Sequence, residues 1–113
     1  NANHLLNKMD DLTCLVNRLT VYVIVVTETW LKIEIPDTLC CLDNYLVYRK
    51  DRTSGLGGGV LCYVKAEMQS SVRVPQVATL YPFEVLWLLI RPKVLPRPLS
   101  CMIIGVFYIP PWY

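Results

Sequence analysis

The sequence predicts a mixed α/β sandwich, and three observations carry that reading. An amphipathic helix pattern opens the chain, a continuous β-branched run follows it, and the remainder offers short strands whose connections suit antiparallel pairing. From Leu5 to Leu19 the apolar residues Leu5, Met9, Leu12, Val16 and Leu19 recur at spacings of four and three, the signature of one helix face. Asn7, Lys8, Asp10, Asp11 and Asn17 then face water. Val21–Val26 is a run of β-branched and aromatic residues, as expected of a strand buried on both faces. The stretch 35–44 holds Pro36, Asp37 and two cysteines and reads as a loop with a short turn of helix.

Tyr45–Lys50 and Val60–Lys65 are strands joined by Asp51–Gly59, whose glycines at 55, 57, 58 and 59 predict a hairpin with a flexible tip. Ser70–Val74, Phe83–Ile90 and Cys101–Tyr108 are three further strands. The last two are separated by Arg91–Ser100, where Pro92, Pro96 and Pro98 exclude regular structure. This order suits a mixed sandwich better than a parallel nucleotide-binding sheet.

Composition narrows the class. The 113 residues suffice for one domain or part of one. Hydrophobic residues make up 54% and charged residues 18%, with a mean hydropathy of +0.39. Soluble domains average about 45–50% apolar and about 25% charged, so disorder is excluded. The longest apolar runs, Val21–Val26, Val85–Ile90 and Cys101–Ile109, fall far short of the roughly 18 residues that argue a spanning helix. The surplus of apolar residues, together with Asn rather than Met at position 1, points to a piece of a larger core. Such a piece would supply mostly one sheet of a sandwich and expose its inner face, favouring self-association through that apolar sheet. The net charge of +2 permits nucleic-acid binding without requiring it. Five cysteines form no CxxC pair and the single histidine is His4, which argues against structural zinc and for reduced thiols inside a cell.

Glu28 follows almost immediately on the apolar strand, where a charge is costly unless paired or bound to a cation. It reads either as a solvated strand end or as a carboxylate projecting from a central strand into a cleft. Asn1 could offer an amide oxygen to a hard cation, or be simply a polar loop residue. Gly57-Gly58-Gly59 lacks the Lys-Ser or Lys-Thr and the following helix of a phosphate loop, so it reads as the hairpin tip. Tyr108 ends a strand just before Pro110-Pro111; its hydroxyl gains meaning only if it opens onto the same cleft as Glu28. His4 reads as a surface residue.

Several short elements occur in one order: Asn1-Ala2-Asn3 and Leu6-Asn7-Lys8; Val23-Ile24-Val25-Val26 running into Thr27-Glu28-Thr29-Trp30-Leu31; Tyr48-Arg49-Lys50-Asp51-Arg52; Gly57-Gly58-Gly59-Val60 leading to Tyr63-Val64-Lys65. Glu84-Val85-Leu86-Trp87 and Val106-Phe107-Tyr108 with Pro110-Pro111 complete the series. As a set they resemble the apurinic-type endonuclease domain of LINE-type (non-LTR) retrotransposon polyproteins, within the endonuclease/exonuclease/phosphatase superfamily. The resemblance implies the N-terminal half of a four-layer α/β/β/α sandwich, DNase I-like, spanning residues 1–113. It implies a Mg²⁺-dependent hydrolase, with Mn²⁺ as a substitute, that nicks DNA so that the freed 3′-hydroxyl primes reverse transcription. Glu28 and Asn1 then stand at metal-holding positions, Glu28 and Tyr108 at catalytic ones, and Asn3, Arg49 and Arg52 at DNA or phosphate contacts. A retroelement nuclease of this kind would work in the nucleus.

The later GDFN-like segment and Asp-His pair of that family are absent from the 113 residues, so the fragment is expected to be inactive alone, its partners being DNA and the missing half of the domain. Asn3-His4 stands where relatives often carry Arg-Ser, and Leu56 where a basic residue is common. Two other readings use the same residues. One is a sugar- or lipid-phosphate phosphatase of the superfamily, against which the TETWL and GGGV elements argue; the other is a non-catalytic, domesticated binding module.

Overall fold

The fold is that of a computed structural model, which describes residues 1–68, 70–74 and 84–111. A 3-10 turn over Leu5–Lys8 leads into helix α1, Met9–Arg18. Leu5, Leu6, Met9, Leu12 and Val16 pack on the core, whereas Leu19 lies beyond the helix in extended conformation and is exposed. The expected apolar stripe therefore holds for its first four positions and fails at the fifth, because the helix has already ended.

Strands β1 (Val23–Thr27), β2 (Tyr45–Lys50) and β3 (Val60–Lys65) form one antiparallel sheet in the order β1-β3-β2. A 3-10 turn at Asp37–Leu39 sits in the connection before β2. Strands β4 (Ser70–Arg73), β5 (Glu84–Arg91) and β6 (Met102–Tyr108) form a second antiparallel sheet in chain order. The predicted strand start at Phe83 lies outside the described residues.

Alternation along β3 decides the layering. Leu61 and Tyr63 face α1 and join Leu5, Val26, Leu31, Cys40 and Leu42 in one buried cluster. Val60, Cys62 and Val64 point the other way and join Leu86, Leu88, Ile90 and Val106 of the second sheet in another. A period-2 strand with both faces apolar can be buried only between two layers. The layers are thus helix, sheet, sheet: a mixed α+β domain with two antiparallel sheets and one helix. Polar bonds add to the sheet–sheet contact. The Tyr48 hydroxyl donates to the Ser71 carbonyl at 3.0 Å, and Arg73 donates to the Arg49 carbonyl at 2.9 Å.

Two expectations are corrected here. The chain supplies two facing sheets rather than mostly one, so the inner faces are buried against each other and not exposed. Among the described strands β1 is an edge strand of its sheet, not a central one buried on both faces: it pairs there only with β3, and Val25 is 49% exposed. The outer face of the second sheet also exposes apolar side chains, at Ile103 and Phe107, the latter meeting Trp87 edge-on at 5.2 Å.

Because Leu88 is fully buried between the sheets, we expect Leu88→Ala to lower stability by about 2–5 kcal/mol in urea unfolding. Ile103→Ala, on the outer face, is expected to cost under about 1 kcal/mol. Equal losses at both sites would contradict this layering.

Candidate active site

The site is built where the ends of four strands reach one rim. Strand β1 stops at Thr27, and the chain continues as Glu28-Thr29-Trp30 between two neighbours. On one side the N-terminal segment donates from Ala2, His4 and Leu5 N–H to the carbonyls of Thr27, Glu28 and Thr29, at 2.8–3.0 Å. On the other, Thr29 and Trp30 N–H donate to the carbonyls of Gly59 and Gly58, at 3.3 and 2.9 Å. Every other residue of this segment twists into the left-handed region, with φ of 56° at Glu28 and 59° at Trp30.

Among the described residues, five other than glycine have positive φ, and four of them (Asn3, His4, Glu28 and Trp30) line this rim. Such strain persists only where the surroundings hold it, and it concentrates at functional sites. The glycine tip is what holds it. Gly58 and Gly59 have φ of 73° and 88°, and a Cβ would overlap the Arg52 guanidinium at the first and the Thr29 hydroxyl at the second. Only glycine meets both demands, the backbone conformation and the close approach.

Glu28 accepts from the Trp30 indole Nε1–H at 2.8 Å and from Gly58 N–H at 3.2 Å, both on Oε2. The Tyr108 hydroxyl at the end of β6 lies near enough to the same carboxylate for the two groups to shift each other's ionisation. Partial burial pushes the Glu28 carboxyl up, but Tyr108, the bonds from Trp30 and Gly58 and the nearby Arg52 charge outweigh it and hold it below the usual value. Desolvation, with the nearness of the anionic Glu28, pushes the Tyr108 phenol up to about 12. At neutral pH the pair is therefore a carboxylate beside a protonated phenol.

Glu84, which opens β5 and lies opposite Tyr108 in the ladder, is one of two buried polar or charged residues among those described. Its Oε1 pairs with Arg52 Nε at 2.6 Å and its Oε2 accepts Gly59 N–H at 2.6 Å. Arg52 also donates from Nη1 to the Leu56 carbonyl at 2.7 Å. The second sheet thus grips the hairpin tip of the first through one carboxylate.

The structure brings Glu28, Tyr108 and Arg52 together. Arg49 lies elsewhere: its five donor contacts go to Asp51, Asp37, Ile35 O and Lys32 O, at 2.7–3.1 Å, so its guanidinium ties the 32–37 loop to β2. Asn3 is exposed and sits in the N-terminal segment beside Glu28. Asn1 is exposed at the mouth of an open, mainly apolar groove between α1 and β1, lined also by Leu12, Leu15 and Val25.

His4 is not the surface residue that was expected. It is half-buried and packs against Trp30 with ring centroids 5.5 Å apart, and its Nδ1 is buried without a hydrogen-bond partner. Sequence reasoning passed over Glu84 as a site residue and gave Trp30 no role. A charge heading an apolar strand was the available signal for Glu84, the same signal that drew attention to Glu28.

Among the described residues no group of three or more His, Cys, Asp or Glu side chains could hold a metal ion. Of the two rim carboxylates Glu84 is taken up by Arg52 and Gly59, so a hard cation would meet Glu28, whose Oε2 already accepts from Trp30 and Gly58. Compared with known proteins, the chain matches no family model, no curated sequence and no solved structure.

Because Glu28 is held below its unfolded pKa of about 4.3, its stabilisation is complete above that value and is lost as pH falls through the lower folded-state value. We expect the urea-midpoint difference between the natural chain and Glu28→Gln to be greatest near neutral pH and to shrink in acid below about pH 4. A difference constant down to about pH 3 would show that Trp30, Gly58 and Tyr108 do not favour the ionised form.

Proposed function

We propose that the chain is the N-terminal portion of a Mg²⁺-dependent phosphodiester-cleaving domain with a DNase I-like α/β/β/α sandwich, of the non-LTR retrotransposon endonuclease type. One observation carries the reading. Glu28, just past the end of a strand in the first sheet, and Tyr108, at the end of a strand in the second, come together at one strained rim although they stand eighty positions apart.

The chemistry available there suits a phosphate ester. Glu28 would be the anionic ligand for Mg²⁺, which when bound would supply Lewis-acid polarisation of the phosphate; Asn1, the other expected ligand, lines the groove between α1 and β1 instead. Tyr108 stays protonated, so its hydroxyl can donate to a phosphate oxygen. Arg52 presents a fixed cation beside both groups. The resemblance assigns a later Asp to the attacking water and a later His to the phosphate. In this reading they belong to the second half of the domain, whose partner is DNA in the nucleus.

Two outcomes are expected. With Mg²⁺ and supercoiled plasmid, the chain alone leaves the plasmid unnicked; metal-dependent nicking abolished by Glu28→Ala would show that these 113 residues suffice for catalysis. In ¹⁵N NMR, Mn²⁺ selectively broadens the Trp30 indole and Gly58 amide signals of the natural chain but not those of Glu28→Gln. Equal broadening in both proteins, or none, would remove Glu28 as a metal ligand.

A further inference from the structure

We infer that Glu84 is a positioning residue which, through a partly buried ion pair, locks the Arg52 guanidinium as a phosphate receptor at the rim. The inference rests on the phosphodiester reading and deepens it by naming what holds the substrate's anion. The pair joins two sheets: Arg52 follows β2, Glu84 opens β5, and their side chains are only 17% and 10% exposed. Burying two charges is costly unless both are fully bonded, and here they are held tightly. The two Glu84 oxygens take Arg52 Nε and Gly59 N–H, each at 2.6 Å, and Arg52 Nη1 takes the Leu56 carbonyl.

The guanidinium is also walled in. Gly58 approaches it so closely that a Cβ there would overlap it, and Glu28 and Tyr108 feel its charge. Of the five donors in an Arg fork, these bonds fix two. The rest of the fork remains at a rim that already carries a carboxylate and a phenol. A planar fork fixed in this way matches two phosphate oxygens, as a mobile lysine would not. Holding Arg52 in advance removes the side-chain ordering that a phosphate would otherwise have to impose on binding.

Electrostatics gives the test its sign. Glu84→Gln removes a negative charge and adds one unit to the net charge of +2, which by Coulomb attraction alone should tighten binding of a polyanion. Positioning demands the opposite. The probe is a fluorescein-labelled single-stranded DNA oligonucleotide, read by anisotropy in EDTA, where no metal contributes. Glu84→Gln is expected to weaken binding about fivefold or more, and Glu84→Asp, which keeps the charge but is too short to reach both Arg52 and Gly59, to do the same. In an Arg52→Ala background Glu84→Gln should no longer weaken binding.

The Trp30 indole ¹⁵N–¹H resonance and the circular-dichroism spectrum report whether each variant keeps its fold. Should Glu84→Gln unfold, Arg52→Lys carries the test: it retains the charge without the fork and is expected to bind as weakly as Glu84→Asp. Binding by Glu84→Gln as tight as that of the natural chain, an undiminished effect without Arg52, or natural-strength binding by Arg52→Lys would each overturn the inference. An oligonucleotide that the natural chain itself does not bind would instead overturn the nucleic-acid reading, and this inference with it.

Discussion

Burial of β3 on both faces is the constraint from which the rest of the molecule follows. Its residues Val60 to Val64 are wholly inaccessible to solvent, so each face needs a covering layer. The helix and its flanking loops supply one through Leu5, Leu31, Cys40 and Leu42. The second sheet supplies the other through Leu86, Leu88, Ile90 and Val106. Apolar burial is non-directional, so it sets which surfaces meet without setting how strand ends align. Alignment comes from directional bonds between the sheets: Tyr48 to Ser71 and Arg52 to Glu84.

That division of labour explains why the rim is polar and strained while the interior is neither. Where β3 begins, the glycines before it bring their N–H groups toward two carboxylates, one from each sheet. Glu28 and Glu84 are thus both satisfied by the same turn of backbone, which is why the hairpin tip carries glycine at consecutive positions of positive φ. The left-handed residues Asn3, His4, Glu28 and Trp30 are held by backbone bonds to the N-terminal segment and to this tip. Arg49, close in sequence to Arg52, serves a separate purpose: it pairs with Asp51 and secures the loop that carries Asp37.

Much of the fold was legible in local pattern. The hairpin with its glycine tip and the strand ending at Tyr108 lie within a residue or two of where periodicity and turn residues put them, while the helix starts four residues later than its apolar stripe, after a 3-10 turn. The apolar run preceding Glu28 was legible as a strand but not as an edge strand. A run of Val and Ile looks the same whether both faces are covered or one lies open, as at Val25. The surplus of apolar residues was likewise ambiguous: it suggested an exposed inner face, whereas the second sheet covers that face. At the site, Glu28 stood out as a charge after an apolar strand, while Glu84 had the same mark and His4 had none.

By itself the sequence determined the elements, because hydrophobic period, proline and glycine act over a few residues. It determined too that Glu28 and Tyr108 each end a strand. Tertiary structure alone decided that those two side chains meet, that Arg52 faces Glu84 rather than solvent, and that His4 lies against Trp30. Those pairings join residues from 26 to 80 positions apart, set by which faces stack and in what register. Register between sheets is a property of the packed whole, and no local stretch of chain encodes it.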